Sequence, residues 1–133
     1  MSDPTDRPLR LVLDTSAIAA WTRGSISVGE LLAEIDLEHG AIVVPLPCLI
    51  EAGAQTAADN ELLDVLIGHP ATVVLADEPD GWRMLVGLRQ ILGSADLASA
   101  AWNALDTGLD VLTAHSRLYA DLGGGSLAIQ IED

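Results

Sequence analysis

The chain has 133 residues, a length that suits one domain and leaves too little sequence for a second hydrophobic core. Half of the residues are hydrophobic, which excludes a disordered chain because that much apolar surface can offset the entropy of folding. The chain has six arginines, no lysine and 20 acidic residues, which gives a net charge of −14. This charge excludes a protein that binds nucleic acid only through contacts of basic residues with phosphates.

The apolar runs of the chain are short. Residues 41–44 and 71–76 end long before the roughly 20 residues that a membrane helix needs. Residues 1–10 are polar and lack the basic start and apolar stretch of a secretory signal. We therefore expect one domain over residues 1–133 with a flexible N-terminus over residues 1–9, no contact with a membrane, and a cytoplasmic location.

The first predicted elements in chain order are a strand and two helices. The continuous apolar run 11–13 predicts a buried strand of a parallel sheet, which ends at Asp14 and leads into a helix from about Thr15. A second helix is predicted from the capping-box motif at Ser27, because apolar residues recur from there with helical period until Gly40.

A second strand and two further helices follow. Residues 41–44 predict the strand, and Pro47 suits the first position of a helix that carries Glu51. Asp59 can cap a short helix that ends at Gly68. This strand and the first one are each followed directly by a helix.

The last part of the chain continues the alternation. Residues 72–75 predict a strand, Asp80 opens a helix, and the pair 93–94 ends it and starts another. The apolar side predicted for the first of these helices consists of Trp82, Leu85, Val86 and Leu92. Residues 110–113 predict the fourth strand, and residues 127–131 predict an edge strand. The order of elements therefore predicts an α/β domain with a mostly parallel sheet of four to five strands and helices on both faces.

Three acidic residues are predicted at one edge of this sheet. Asp14 ends the first strand, Glu51 lies in the helix after the second strand, and Asp96 lies near the start of a later helix. Each has a structural explanation, since Asp14 can cap a helix, Glu51 can face solvent and Asp96 can favour a helix dipole. Because ligands bind beyond the carboxyl ends of parallel strands, we nevertheless expect the three carboxylates to meet at a common point.

The order of these motifs resembles that of the PIN domains, in particular the toxin ribonucleases of bacterial toxin–antitoxin pairs of the VapBC type. Residues 11–18 look like the first acidic motif of the family, and residues 44–51 look like the second. Residues 96–102 are similar to the third motif, and residues 108–113 resemble the strand that leads into the fourth. The resemblance covers nearly the whole chain.

The resemblance implies a three-layer α/β/α PIN-like fold and metal-dependent hydrolysis of RNA phosphodiesters. Asp14, Glu51 and Asp96 would be the catalytic residues and the ligands of Mg²⁺ or Mn²⁺, which are hard cations that prefer oxygen. Ser16 would be a further catalytic residue that orients water or a carboxylate, although it suits an ordinary first helical turn equally well. The implied partners are an RNA substrate, a cognate antitoxin protein and a second copy in a homodimer.

The fourth acidic motif departs from the family. An aspartate is common two residues after the fourth strand, where this chain has His115. Imidazole suits zinc, copper or nickel better than magnesium, so His115 is not an equivalent ligand. Asp110 is predicted at the opposite end of the strand and Asp121 on a solvated helix, so neither replaces the missing acid. The alternative function is a PIN-like binding or regulatory protein whose catalysis is weakened or lost.

The remaining candidates are weaker. Cys48 stands in an apolar context typical of a buried core residue. Trp82 and Trp102 suit packing in the core or in a dimer interface better than base stacking. Four arginines can contact phosphate or pair with surface acids, namely Arg23, Arg83, Arg89 and Arg117. A nuclease of structured DNA uses similar chemistry but normally has a larger and more basic chain.

Overall fold

The computed structural model describes residues 6–56 and 60–133, and the central feature of this part of the chain is a five-stranded parallel sheet. The order of strands across the sheet is 3-2-1-4-5, and every neighbouring pair is parallel. The prediction of a mostly parallel sheet of four to five strands is confirmed. The strands are β1 (Leu9–Leu13), β2 (Ala41–Pro45), β3 (Thr72–Leu75), β4 (Val111–Thr113) and β5 (Ala128–Gln130).

Helices cover both faces of the sheet and complete the PIN-like α/β fold. Three short 3-10 helices, Pro79–Gly81, Ser116–Tyr119 and Gly123–Gly125, lie between the longer elements. No helix of the described residues is both long and apolar enough to cross a membrane. The α-helices are α1 (Thr15–Thr22), α2 (Ile26–Leu37), α3 (Leu46–Gln55), α4 (Asn60–Ile67), α5 (Trp82–Leu92) and α6 (Ala95–Thr107).

The order of strands places a crevice beside β1. The chain steps outward from β1 to β2 and β3, and then returns to the other side of β1 to form β4 and β5. The direction therefore reverses between β1 and β4, and ligands of open parallel sheets bind beyond the carboxyl ends of the strands at such a reversal. Asp14, the residue after β1, lies at this point.

The central strands form the core. All five residues of β2 and the last three of β1 are buried, which is the reason that both read as unbroken apolar runs in the sequence. Cys48 is fully buried in the same core, as its apolar context predicted. On α6 the buried positions 98, 100, 101 and 104 are all alanine, and such small side chains allow the helix to approach the sheet closely.

The structure corrects the start of α2. Ser25, not Ser27, is the N-cap, and its Oγ accepts a hydrogen bond from the backbone N–H of Val28 at 3.2 Å. The helix therefore begins one residue before the capping-box motif. The predicted cap at Asp59 lies outside the described residues.

The buried face of α5 also differs from the prediction. The helix begins at Trp82, after the 3-10 turn that contains Asp80, and it packs on α6 through Leu88 and Leu92. Trp82 is 55% exposed and Val86 is 47% exposed, whereas Leu85 on the same predicted face is half-buried and packs against the core. The first turns of α5 thus leave an aromatic and an aliphatic side chain at the surface.

The buried strand β4 supplies a test of this core. Leu112 is 1% exposed and lies between β1 and β5. Leu112→Ala should lower the free energy of unfolding by about 2–5 kcal/mol, because it removes apolar contacts and leaves a cavity. Leu37→Ala is the matched control, since Leu37 is 82% exposed, and its effect should stay within about 0.5 kcal/mol. Urea denaturation measures both, and equal losses would contradict the assigned core.

Candidate active site

Asp14 stands at the centre of the candidate site. It is the N-cap of α1, with an extended backbone, and its Oδ1 accepts a hydrogen bond from the backbone N–H of Ala17 at 3.0 Å. The residue is fully buried. Asp14 therefore caps α1, as its structural explanation predicts, and this bond fixes the orientation of its carboxylate at the end of β1.

Three donors hold the Asp14 carboxylate. Besides the bond from the Ala17 N–H, Oδ1 accepts from the Ser16 hydroxyl at 2.6 Å, while Oδ2 accepts from the Tyr119 hydroxyl at 2.7 Å. An ionised carboxylate offers about four lone-pair sites, so these bonds leave one site at Oδ2. Asp14 can thus give at most one further bond, to a donor or to a metal.

Ser16 also joins α1 to the end of β4. Its Oγ lies 3.2 Å from Thr113 Oγ1 and accepts a hydrogen bond from the backbone N–H of Ala114 at 2.9 Å. Thr113 Oγ1 in turn accepts from the backbone N–H of His115 at 3.0 Å. Ser16 therefore orients a carboxylate and also holds the segment where the family carries its fourth acid.

Asp96 lies close to the same place. It occupies the first turn of α6, is half-buried, and accepts a hydrogen bond from the Thr15 hydroxyl through Oδ2. The backbone carbonyl of Asp96 accepts from Cys48 Sγ at 3.1 Å. Burial raises the pKa of the Cys48 thiol, and the charges of both Asp14 and Asp96 raise it further. Cys48 thus holds the backbone of Asp96 at the start of α6.

Tyr119 is the site residue that sequence reasoning missed. It ends the 3-10 helix after β4, is 1% exposed, and donates its hydroxyl to Asp14 across 105 positions of the chain. Burial raises the pKa of Tyr119, and the Asp14 charge and the hydrogen bond to it act in the same direction. The only available signal was that this single tyrosine lies six residues after the fourth strand.

Glu51 lies on the outer side of the site. It is exposed on α3 and shares a cavity of about 630 Å³ with Asp96, Asp77 and Arg89. Within residues 6–56 and 60–133, no group of three His, Cys, Asp or Glu lies where it could hold one metal ion. The expected meeting of three carboxylates at a common point is therefore not found. The structure brings the Asp96 carboxylate to Thr15, the residue after Asp14, and places Glu51 along the same open cavity as Asp96.

The residues around the fourth motif, His115, Asp110 and Asp121, supply no further carboxylate to the site of Asp14 and Asp96. His115 is exposed at the end of β4 and lines a different cavity, together with Arg117 and Gln130. Asp110 precedes β4 at its opposite end, as predicted. Asp121 is exposed in a turn and not on a helix. Neither aspartate lies at the crevice.

Asp77 is a further residue that sequence reasoning did not name, and Arg89 is the one of the four candidate arginines that lies beside the acids in this cavity. Asp77 follows β3 by two residues and accepts a hydrogen bond from Ser99 Oγ at 2.9 Å. Arg89, in the last turn of α5, is the one basic residue along the cavity that holds Glu51 and Asp96. The position of Asp77 beyond a strand end was a usable signal, whereas Arg89 reaches the site only through packing of α5 on α6.

The donor set fits a divalent cation in part. Magnesium is held by one or two carboxylates and keeps several waters, which leaves positions for substrate phosphate. The remaining lone pair of Asp14 Oδ2 and the half-buried carboxylate of Asp96 meet that requirement. A ligand set of three carboxylates is not assembled among the described residues.

The hydrogen bond between Tyr119 and Asp14 can be tested by an isosteric change. Tyr119→Phe keeps the ring in the core but removes a donor to a buried carboxylate. A hydrogen bond to a charged group contributes about 1.5–3 kcal/mol, so the free energy of unfolding should fall by that amount. Urea denaturation at neutral pH measures the loss, and an unchanged stability would show that the bond contributes nothing in solution.

The comparisons with known proteins bear on the fold. No protein-family model matches the sequence, and no curated protein matches it. The crystal structure of PAE2754 from Pyrobaculum aerophilum is similar with a TM-score of 0.66 and 21% identity, over 93% of this chain and 92% of that one. VapBC2 from Rickettsia felis, bound to a DNA fragment from their promoter, is similar with a TM-score of 0.72 and 12% identity, over 93% and 99%.

At these identities the likeness concerns the fold. It extends over almost the whole chain in both cases, and it agrees with the sheet order and with the helices on both faces. The resemblance that the sequence motifs carry is confirmed at this level: the chain has the PIN-like α/β fold of VapC-type toxins.

Proposed function

We propose that this protein is a metal-dependent endoribonuclease and the toxin of a toxin–antitoxin pair. The observation that carries the proposal is the hydrogen bond from the hydroxyl of Thr15, the residue after Asp14, to the Asp96 carboxylate at the end of β1. This point is the reversal of strand order, where ligands of parallel sheets bind. The PIN-like fold supports the same reaction class.

Two acids would hold the cation and a third would assist. Asp96 and the remaining lone pair of Asp14 would bind Mg²⁺ or Mn²⁺. Glu51 would assist in holding the cation from the open side of the cavity. When bound, the cation would activate water and neutralise charge that develops at phosphorus. Ser16 would keep the Asp14 carboxylate in one orientation through its 2.6 Å hydrogen bond.

Because the protein is acidic, Arg89 and a bound cation would supply the main attraction for RNA phosphate. A net charge of −14 repels phosphate on average. Arg89 lines the cavity beside Asp96, and its guanidinium can donate two parallel hydrogen bonds to a phosphate. We therefore infer that substrate enters along α5 rather than across the acidic remainder of the surface.

A second candidate function is a PIN-like protein that binds a partner without catalysis. The burial of Asp14 under three hydrogen bonds favours it, because a carboxylate sealed in this way has little capacity left for a metal. His115 at the position of the fourth acid favours it as well. The two candidates differ in whether the protein cuts RNA when Mg²⁺ or Mn²⁺ is supplied.

The metal-binding role of Asp96 predicts a loss of cleavage on substitution. Asp96→Asn should slow cleavage of single-stranded RNA in Mg²⁺ or Mn²⁺ by at least about 100-fold. Substitution of a residue that only supports a metal ligand already lowers metal affinity or activity by about 10–100-fold, and Asp96 is proposed to be a ligand itself. Asp110→Asn is the matched control, because Asp110 is exposed at the opposite end of β4, and it should leave the rate unchanged. Gel analysis of a fluorescent RNA gives both rates.

Two further variants separate the candidate functions. Cleavage that survives Asp14→Ala or Asp96→Asn would contradict the assigned site. His115→Asp supplies a hard oxygen ligand and should raise both cleavage and the stabilisation of the fold by the cation. If the parent stays inert in every metal while His115→Asp cuts RNA, the non-catalytic candidate is correct.

Partners and location are part of the proposal. We infer a cognate antitoxin, a homodimer and a cytoplasmic location, in keeping with the bacterial toxins that the chain resembles. Exposed apolar side chains support a protein interface, because such patches on small domains mark contacts. They lie on α3 and α4 at Leu46, Ile50, Leu62, Val65 and Ile67.

A charge on this surface should separate the two copies. Val65 is 60% exposed on α4, so Val65→Asp should leave the fold intact and shift the mass measured by light scattering from two chains to one. Ile26→Asp, at an equally exposed site on α2, should remain a dimer. A parent that scatters as one chain of 13.9 kDa at high micromolar concentration would refute the dimer.

A further inference from the structure

An apolar pocket lies beside the acids and is not used by the proposed cleavage. It has a volume of about 220 Å³ and is formed where the first turns of α5 face the starts of α3 and α6. We call it the α5 pocket. Its apolar lining consists of Pro47, Trp82, Leu85, Val86, Ala95 and Ala98.

The α5 pocket is continuous with the cavity of the acids. Four residues line both spaces, and two of them are polar, namely Asp77 and Arg89. A ligand that spans the two spaces would therefore meet Asp96 and Glu51 at one end and an apolar chamber at the other. The nucleotide unit of RNA has this form, with an anionic phosphate on one side and a flat base on the other.

Trp82 gives the pocket an aromatic wall at the surface. The guanidinium of Arg83 lies 4.5 Å from the centre of the Trp82 ring and covers one face of the indole, and the Trp82 side chain also lines the pocket. Proteins that bind single-stranded RNA stack unpaired bases on aromatic side chains in this manner. Trp82 is exposed, which packing in the core would not predict. In this arrangement the exposed ring would stack on the base.

We propose that the α5 pocket binds a guanine base next to the phosphate that is cut, with Asp77 contacting the base and Arg89 contacting the phosphate. This inference rests on the proposed ribonuclease function and adds to it a specificity for guanine. Asp77 selects the base and Trp82 supports it by stacking. Arg89 joins the two spaces because it lines both.

The choice of guanine follows from the hydrogen bonds that Asp77 can accept. Ser99 Oγ occupies one lone pair of Oδ1, so both carboxylate oxygens can still accept. Guanine alone presents two adjacent N–H donors on its pairing edge, and these match a carboxylate in a bidentate manner. Adenine and cytosine present one donor beside an acceptor, and uracil presents one donor between two carbonyls, which a carboxylate repels.

Equilibrium binding to short RNAs tests the pocket separately from cleavage. Fluorescence anisotropy in EDTA would compare a short single-stranded oligouridine with the same RNA carrying one central guanosine or one central inosine. The guanosine RNA should bind about tenfold more tightly than the oligouridine, as a good bidentate contact allows. Inosine lacks the exocyclic amino group and should lose most of that preference.

Two variants assign the preference to the pocket. Val86→Phe fills the space and should abolish the preference, whereas Met84→Phe, at a similarly exposed site of the same helix that does not line the pocket, should keep it. Asp77→Asn replaces one acceptor by a donor and should also abolish it. Because both phenylalanines stand at exposed positions, the variants should fold, and equal melting temperatures of the variants and the parent check this.

The outcomes separate this proposal from the ribonuclease function. Equal binding of all three RNAs, or a guanosine preference that Val86→Phe and Asp77→Asn leave intact, overturns the base pocket. If the parent cleaves RNA but shows no preference, the cleavage proposal stands and the pocket proposal fails. If it prefers the guanosine RNA in EDTA but cuts no RNA in Mg²⁺ or Mn²⁺, the pocket stands and the cleavage proposal fails.

Discussion

The buried carboxylate of Asp14 is the constraint on which the rest of the site depends. A carboxylate without partners is costly inside a protein, so the chain must bring donors to it. It does so from the first turn of α1, through Ser16 and Ala17, and from the segment after β4, through Tyr119. The Asp14 carboxylate therefore connects α1, which follows β1, to the segment that follows β4. This connection gives the crevice at the reversal of strand order a defined shape.

This arrangement also explains how acids can gather in a protein of such high negative charge. Asp14 is stabilised by three hydrogen bonds, Asp96 accepts a hydrogen bond from the hydroxyl of Thr15, and Asp77 accepts one from the hydroxyl of Ser99. Hydroxyl donors stabilise carboxylates without adding positive charge, so the site keeps its affinity for a cation. Arg89 lines both the cavity of the acids and the α5 pocket, so an anionic substrate in these spaces would contact its guanidinium.

Much of the fold was predictable because its signals are local. Unbroken apolar runs marked β1 and β2, since strands buried on both faces have no polar side. The alternation of strands and helices predicted a parallel sheet, and a parallel sheet brings its carboxyl ends to one edge. The positions of Asp14 and Asp96 at that edge follow from this rule. The burial of Cys48 follows in the same way from its apolar neighbours.

The sequence by itself determined the class of fold, the order of its elements and the edge of the sheet that carries the acids. Only the tertiary structure decided which side chains meet, because contacts at separations of 105 and 81 residues depend on packing distances that no local pattern contains. Packing placed the hydroxyl of Tyr119 on Asp14 and kept Glu51 at the open side of Asp96. It also left Trp82 and Val86 exposed on the first half of α5 and buried Leu88 and Leu92 on the second half.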